Sequence, residues 1–192
     1  MTGPVITPET SLIELAAIVS EALSAAGIIA TLSGGSAVST YTENRYESED
    51  LDFVTTALLE DLKPVLEPLG FVHTGSPRLS VFEHPDTKWY LEFPPAPLSF
   101  GGTYFDASHS ALYPTSEGSI RIITATHSVM DRLIAAAAWK DAPSLEQALL
   151  VAKHQESNID WDEIDAWVVT EGIASTIEVV EFYRSIARIL PE

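Results

Sequence analysis

The spacing of apolar residues near the start of the chain predicts a helix, a short strand and a second helix. Between residues 12 and 23 apolar side chains recur every three or four positions, the period of an amphipathic helix, and Gly27 ends it. The Ser-x-x-Glu spacing at residues 11–14 is that of a capping box and places the helix start there. The apolar run at residues 28–32 then predicts a buried strand, and the turn after it leads into a short helix at residues 37–41.

Four further strands and one helix are predicted before residue 124. Apolar or alternating runs indicate strands at residues 51–55, 78–82, 88–93 and 119–123, with a helix at about residues 58–66 between the first two. From residue 94 to residue 118 prolines and glycines interrupt the pattern, which is typical of a long loop or a loose hairpin. A loop of this length in a compact domain is usually a functional lid or a disordered segment.

The last part of the chain is predicted to be helical. Helical spacing indicates four helices, at about residues 128–139, 144–154, 161–170 and 176–190. The predicted architecture is therefore an α/β (α+β) fold. The α/β domain is expected in residues 1–124, and a C-terminal helical subdomain in residues 125–192.

Two aspartates stand out in the strand that begins near residue 50. Strand alternation sends Leu51 and Phe53 to one face and Asp50 and Asp52 to the other. At a rise of ~3.3 Å per residue the two aspartate Cα atoms are about 6.5–7 Å apart, so their oxygens can converge on one divalent ion or on a close pair. The alternative is that the two aspartates belong to an ordinary solvated acidic segment. Three nearby glutamates support this alternative: Glu43, Glu47 and Glu49.

Glu92 is a third carboxylate that strand alternation singles out. Trp89, Leu91 and Phe93 share one face of their strand, whereas Glu92 shares the other with Tyr90. An unpaired carboxylate among such apolar neighbours is costly, and a cation shared with the two aspartates would relieve the cost. The alternative is a glutamate on the wet face of an edge strand.

A glycine turn precedes the aspartate strand by about fifteen residues. Ser33-Gly34-Gly35-Ser36 separates a predicted strand from a predicted helix, a geometry that offers backbone N–H groups and a hydroxyl to an anion. Gly-Gly turns are common, and the chain has neither a G-x-G-x-x-G nor a Walker motif. The position of the turn before the aspartate strand is what makes it specific.

Together these segments resemble the nucleotidyltransferase superfamily, whose members share a polymerase-β-like catalytic core. Those proteins have a Gly-Gly or Gly-Ser turn at a helix start, an Asp-x-Asp strand and a third acidic residue on a neighbouring strand. The matching positions are Gly34, Gly35 and Ser36, then Asp50 and Asp52, then Glu92. Residues 48–53 are most similar to the bacterial branch of minimal nucleotidyltransferases and abortive-infection toxins, as are residues 130–133 and 139–141. The resemblance covers about residues 28–154, and it implies that the α/β domain is a mixed β-sheet flanked by helices.

The resemblance implies that a nucleoside monophosphate is transferred from an NTP to an acceptor hydroxyl with the help of Mg²⁺ or Mn²⁺. It makes Asp50, Asp52 and Glu92 the catalytic and metal-binding residues, with Glu92 at the ion that activates the acceptor. The implied nucleotide-binding residues are Gly34, Gly35, Ser36, Arg45, Arg132 and Lys140. For Lys140 the alternative is an ordinary solvated lysine.

The amino-acid composition limits the classes of acceptor that the chain can bind. The 192 residues include 28 Asp and Glu against 10 Lys and Arg, a formal net charge of −18. Such an excess repels phosphates, so extended binding to nucleic acid or to an anionic membrane surface is not expected. A small molecule or a protein hydroxyl therefore fits the charge better than an RNA end does, although the identity of the acceptor stays open.

Single features exclude several other classes of protein. The chain has no cysteine, which excludes disulfides, thiolate metal sites and cysteine nucleophiles. Neither H-E-x-x-H nor G-x-S-x-G occurs, which argues against zinc and serine hydrolases. No signal peptide or membrane span is recognised, so the expected location is the cytoplasm.

Two functions remain open at this point. The first is an active nucleotidyltransferase, which in the toxin-like case would have a cognate antitoxin. The second is a degenerate nucleotidyltransferase fold that serves as a non-catalytic binding or interaction module. The second is motivated by Arg132, where that branch usually has lysine, and by Arg45, which lies one residue further from the serine than the branch predicts.

Overall fold

The computed structural model describes residues 5–75 and 80–189. In these residues the helices are α1 (Leu12–Ala25), α2 (Gly34–Tyr41), α3 (Leu59–Leu66), α4 (Ala125–Trp139), α5 (Ala142–His154), α6 (Trp161–Thr170) and α7 (Ile177–Ile189). The strands are β1 (Ala30–Ser33), β2 (Asp50–Thr55), β3 (Val72–His73), β4 (Ser80–Glu83), β5 (Tyr90–Phe93), β6 (Leu98–Phe100), β7 (Thr103–Phe105), β8 (Ser110–Thr115) and β9 (Gly118–Ile123).

Seven strands form a mixed sheet in the order β3-β4-β5-β2-β1-β9-β8, and β6 pairs with β7 in a separate hairpin. The pairs β2–β5 and β1–β9 are parallel, and the other neighbours are antiparallel. The predicted mixed sheet flanked by helices is therefore confirmed. Its central strands are β5, β2 and β1. The predicted acidic residues lie on β5 and β2, and β1 leads into the glycine turn.

The first helix follows its sequence signals closely. Ser11 N donates to Glu14 Oε2 at 2.7 Å and Glu14 N donates to Ser11 Oγ at 3.3 Å, which completes the predicted capping box. Gly27, with a φ of +76°, turns the chain after the helix, and β1 begins two residues later than predicted. α1 packs against β1, β8 and β9 and so covers one face of the sheet.

The segment from residue 94 to residue 118 is more ordered than the expected loop. It contains the β6–β7 hairpin, which agrees with the loose hairpin, and also strand β8, which the sequence pattern did not predict. Pro114 hid this strand, because a proline cannot donate to a sheet ladder. β8 is an edge strand, where a missing donor is tolerated.

One other strand prediction needs correction, and one further strand was not predicted. The strand expected at residues 78–82 corresponds to β4, which extends to Glu83, while Arg78 and Leu79 lie outside the described residues. The two-residue strand β3 was not predicted, since its length is too short for a periodic signal.

The four C-terminal helices are present in the predicted order. α4 begins at Ala125, three residues earlier than expected, because Thr124 is its N-cap and accepts from His127 N. α7 is described as far as Ile189, and the predicted end at Leu190 lies outside the described residues. α4 and α5 pack directly against α2, so the boundary at residue 124 stays a prediction. No helix within the described ranges has the length and apolar character needed to cross a bilayer.

Candidate active site

β2 and β5 bring the three predicted carboxylates together on one face of the sheet. The two strands are parallel neighbours, and their register pairs Asp50 with Tyr90 and Asp52 with Glu92. Asp50, Asp52 and Glu92 each place one carboxylate oxygen within 4.8 Å of the other two. Converging carboxylate oxygens are the ligands that a hard divalent cation prefers. We refer to these three residues as the acidic triad.

Strand alternation explains why the acidic triad faces outward. Leu51 and Phe53 on β2 and Leu91 on β5 are buried in the core, so the side chains between them must project from the opposite face. Asp50 and Asp52 are only partly buried there. The apolar half of each strand thus fixes the position of its acidic half.

Two neighbouring hydroxyl groups orient Asp50. Ser48 Oγ donates to Asp50 Oδ1 at 2.9 Å, and the Tyr90 hydroxyl donates to Asp50 Oδ2 at 3.4 Å. Ser48 is itself held by α2, since its backbone N–H donates to Ser39 Oγ at 2.9 Å. The loop before β2 is therefore anchored to the helix that follows the glycine turn.

The acidic triad carries more negative charge than its surroundings balance. Burial, followed by repulsion from Asp50, Glu92 and Asp131, raises the pKa of Asp52 to about 7. Burial and repulsion from Asp50 also raise the pKa of Glu92. A cation bound between these groups would favour their ionised forms, so the raised pKa values agree with a metal-binding role.

The glycine turn lies directly against the acidic triad. Gly34 has a φ of +62°, and a Cβ atom built on it would lie 2.3 Å from Asp52 Oδ2. A Cβ on Gly35 would lie 2.7 Å from Ser48 Oγ. Gly34 is therefore favoured by its backbone angle, and a side chain at either position would have to displace Asp52 or Ser48.

The N-terminus of α2 has unused donors that face this turn. Ser33 is the N-cap, but its side chain forms no capping hydrogen bond. The first N–H groups of a helix have no intrahelical acceptor, so without a side-chain cap they are available to an anion. Ser36 is fully buried, and its hydroxyl donates to Ser33 O at 2.9 Å and lies 3.4 Å from Asp52 N. In this structure Ser36 therefore braces the turn against β2.

Solved structures identify the fold. No family model matches the chain, and no curated protein does either. ANT(2″)-Ia in complex with adenylyl-2″-tobramycin aligns with 80% of this chain and 92% of its own, at 14% identity and a TM-score of 0.55. The lincomycin-bound lincosamide antibiotic adenylyltransferase LnuA aligns with 72% of this chain and 96% of its own, at 16% identity and a TM-score of 0.52. An antigenic nucleotidyltransferase-like protein from Paracoccidioides brasiliensis aligns over 77% of both chains, at 12% identity and a TM-score of 0.53. This chain has the nucleotidyltransferase fold.

Within the nucleotidyltransferase fold, α4 brings Arg132 close to the acidic triad. Arg132 is near enough to Asp52 to lower its pKa, against the larger raising effects. Its Nη2 atom lies 2.8 Å from Asp131 Oδ2, and its Nη1 atom donates to Gln147 Oε1 at 3.4 Å. The Nε atom of Arg132 is buried and has no hydrogen-bond partner in the part of the chain that the structure describes.

The other two predicted cations are placed differently. Arg45 is exposed in the loop between α2 and β2 and forms no ion pair with any described residue. Lys140 follows the end of α4 with a φ of +59°, and its Nζ atom lies 3.0 Å from Glu178 Oε1 on α7. Their roles in nucleotide binding stay predictions.

Three residues near the site had no predicted role: Ser48, Tyr90 and Asp131. Ser48 and Tyr90 each precede a triad residue by two positions, so the strand period that selected Asp50 and Glu92 also points to them. Asp131 gives no such signal, because its proximity to Asp52 depends on how α4 packs against the sheet domain.

Proposed function

We propose that this chain is a divalent-metal-dependent nucleotidyltransferase that moves a nucleoside monophosphate from an NTP to an acceptor hydroxyl. The observation that carries the proposal is the convergence of Asp50, Asp52 and Glu92 within 4.8 Å beside an uncapped helix N-terminus. In a chain with the nucleotidyltransferase fold, these two features supply a metal site and a phosphate site side by side.

The acidic triad fits Mg²⁺ or Mn²⁺ by the chemistry of its donors. All three residues offer carboxylate oxygens, which are hard ligands, and none offers nitrogen or sulfur. Asp50 and Asp52 would hold the metal, and Glu92 would complete the site on the acceptor side. When bound, the metal would activate the acceptor hydroxyl and stabilise the charge that develops on the leaving pyrophosphate.

The chain's own groups account for the rest of the reaction. The acceptor oxygen forms a bond to the α-phosphorus, the bond between the α-phosphorus and the bridging oxygen breaks, and pyrophosphate leaves. The acceptor proton passes to the Glu92 carboxylate and then to solvent. The N–H groups of Gly34 and Gly35 would bind the terminal phosphates, and Arg132 would balance their charge.

A small-molecule acceptor is favoured over an RNA end. The net charge of −18 opposes a long phosphate backbone. Two of the aligned structures were solved with adenylyl-2″-tobramycin and with lincomycin, which are small molecules. A protein hydroxyl is also compatible with the charge.

The proposal that the chain is a cytoplasmic toxin with a cognate antitoxin is supported by the sequence resemblance alone. Growth inhibition on expression, relieved by Asp50→Ala, would support the toxin.

The rival proposal is a non-catalytic binding module. It would be favoured by a Glu92 side chain turned away from the aspartates, or by residues 94–118 filling the cleft. Glu92 instead converges with Asp50 and Asp52, and all three side chains are only partly buried. These observations favour the enzyme over the module.

A thermal-shift titration with each of the four NTPs and Mg²⁺ tests the proposal. A nucleotide at 100 times its Kd stabilises a protein by about 2.7 kcal/mol, and we expect one or more NTPs to reach this size only when Mg²⁺ is present. Glu92→Gln should abolish transfer, whereas Glu83→Gln, which changes an exposed glutamate on the neighbouring strand β4, should not. No stabilisation by any NTP would refute the proposal.

A further inference from the structure

A cavity of about 610 Å³ lies on the same face of the sheet as the acidic triad. Alternation along β2 puts Val54 on the face of Asp50 and Asp52. The antiparallel register of β1 and β2 pairs Val54 with Thr31, in the same way as it pairs Asp52 with Ser33. Val54 and Thr31 both line the cavity. Val54 follows Asp52 by two residues on β2, so the Cα atoms of these two residues are about 6–7 Å apart.

The cavity and the glycine turn lie on opposite sides of Asp52. Along β1 the turn follows Ser33, the partner of Asp52, whereas Thr31 precedes it. In-line displacement at phosphorus places the attacking oxygen opposite the leaving oxygen. With the terminal phosphates at the turn, an acceptor that enters from the side of Thr31 and Val54, where the cavity is, lies across Asp52 from the leaving group.

The outer wall of the cavity is mostly apolar and comes from the β6–β7 hairpin and the residues before it. Pro97, Leu98, Tyr104 and Phe105 all line it. Tyr104 is 70% exposed, which leaves its ring available to stack on a flat ligand. A cavity of this size and lining suits a drug-sized molecule that contains rings.

Seven of the thirteen residues that line the cavity have polar side chains, and several of these are occupied by hydrogen bonds within the protein. Asp106 Oδ1 accepts from Ser108 N at 2.7 Å and from Ser108 Oγ, and it lies 3.2 Å from His109 Nδ1. The Thr55 hydroxyl donates to a main-chain carbonyl at 2.7 Å. Thr31 has a hydroxyl without a hydrogen-bond partner among the described residues, and that group is the one nearest to the triad side of the cavity. Three lining hydroxyls, those of Thr31, Thr56 and Tyr104, have no hydrogen-bond partner among the described residues and are available to a neutral polar ligand, whereas the carboxylate of Asp106 is already engaged.

From this arrangement we infer that the cavity binds the acceptor, and that the acceptor is a neutral, ring-containing alcohol of low molecular mass. The inference rests on the proposed function, and it adds to that function the substrate class and the residues that select it. Val54 and Tyr104 would pack on the rings, and Thr31 would direct the hydroxyl toward the acidic triad.

Calorimetric titration with a matched pair of probes tests the inference. Naphthylethanol is a neutral aromatic alcohol, and naphthylethylamine carries a positive charge in place of the hydroxyl. We expect the alcohol to bind the wild-type protein at physiological salt at least tenfold more tightly than the amine. Tighter binding of the amine would overturn the inference, because it would show that the cavity selects a cation.

Two variants locate the bound alcohol. Val54→Trp fills the cavity and should weaken binding at least tenfold, and Val54→Ile controls for substitution at that position. Tyr104→Ala removes an exposed ring with little risk to folding and should weaken binding several-fold. Val169→Ala, on α6 and also 70% exposed, is the matched control and should change nothing. Equal binding to all four variants would overturn the inference.

The same samples separate an acceptor site from a nucleotide site. If the cavity binds the acceptor, the alcohol and the Mg²⁺–NTP complex bind together, and saturating alcohol changes the nucleotide Kd less than threefold. Competition that weakens the nucleotide tenfold or more would mean that the cavity holds the base, which overturns the inference. Loss of alcohol binding alone overturns the inference and leaves the proposed function standing. Alcohol binding without any nucleotide binding overturns both.

Discussion

Gly34 lies so close to Asp52 that the glycine turn and the acidic triad form one structural unit. A Cβ atom on Gly34 would meet Asp52 Oδ2 at 2.3 Å, and the backbone there has a φ of +62°. The contact places the first N–H groups of α2 next to the carboxylates on β2. An NTP whose terminal phosphates bind the turn would therefore have its α-phosphate near the acidic triad.

Gly34→Ala should separate this contact from ordinary backbone strain. An L-residue in the left-handed region costs about 1–2 kcal/mol, and the added methyl must also displace the Asp52 carboxylate. Gly172→Ala is the matched control, because Gly172 has a φ of +70° and a Cβ atom added there would meet nothing within 4 Å. Urea unfolding should show a loss of stability in both variants. Only Gly34→Ala should lose the stabilisation by the Mg²⁺–NTP complex. If Gly34→Ala kept that stabilisation, the close contact between Gly34 and Asp52 would not be needed for nucleotide binding.

The raised pKa of Asp52 predicts an unusual dependence of stability on pH. Burial and neighbouring acids raise that pKa from 3.8 to about 7. Between these values the folded chain keeps a proton that the unfolded chain has lost, so the free energy of unfolding should fall as pH rises and level off above about pH 7. A shift of this size changes stability by at most roughly 4 kcal/mol. Chemical denaturation in metal-free buffer from about pH 5 to about pH 8 measures the fall.

Asp52→Asn isolates this effect from the other titrating groups. Asparagine cannot ionise, so the variant should lose the downward slope and exceed the wild type in stability at about pH 8 without metal. Mg²⁺ should stabilise the wild type at that pH and leave the variant unchanged. Identical pH curves for the two proteins would show that Asp52 does not titrate in this range.

Strand alternation predicted which face of the sheet the three carboxylates occupy, and the family resemblance grouped them as a triad. Leu51, Phe53 and Leu91 had to be buried, and that requirement alone put Asp50, Asp52 and Glu92 on the opposite face. The sequence pattern also predicted the first helix and the order of the four C-terminal helices, whereas the mixed sheet was implied by the family resemblance. These features depend on local periodicity, which is written in consecutive residues.

The surroundings of the acidic triad depend on contacts between distant residues, and local patterns do not predict them. Pro114 concealed β8, because only the position of that strand at the sheet edge makes a proline acceptable. Asp131 reaches Asp52 through the packing of α4, not through any spacing in the sequence. The cavity beside Val54 needs the β6–β7 hairpin, which is placed by long-range contacts to α4 and α6.

Arg132 and Lys140 should differ in their effect on nucleotide binding. Arg132 lies close enough to influence Asp52, whereas Lys140 is 67% exposed and paired with Glu178. We expect Arg132→Gln to raise the Kd of the Mg²⁺–NTP complex about tenfold or more, since a charged hydrogen bond contributes about 1.5–3 kcal/mol. Lys140→Gln should raise it less than about threefold, because exposed ion pairs contribute little.

Equilibrium titration with a fluorescent NTP analogue measures both constants. Glu178→Gln, which removes the partner of Lys140, controls for a change in helix packing. An equal effect of the two substitutions would instead support the prediction from sequence that Lys140 binds the triphosphate.

Glu171 should control how firmly the β6–β7 hairpin closes over the cavity. Its Oε2 atom accepts from Gly102 N at 2.8 Å, and its Oε1 atom accepts from the Thr103 hydroxyl. Both hydrogen bonds hold the tip of the hairpin to the end of α6, and their loss costs about 1 kcal/mol each. We expect Glu171→Gln to increase hydrogen exchange at residues 98–105 and to weaken naphthylethanol binding several-fold, with no change in the Kd of the Mg²⁺–NTP complex. Glu181→Gln, at an exposed glutamate of α7, is the control. If hydrogen exchange at residues 98–105 were as slow in Glu171→Gln as in the wild type, other contacts would be sufficient to hold the hairpin. One such contact is the hydrogen bond from Trp167 Nε1 to Phe100 O.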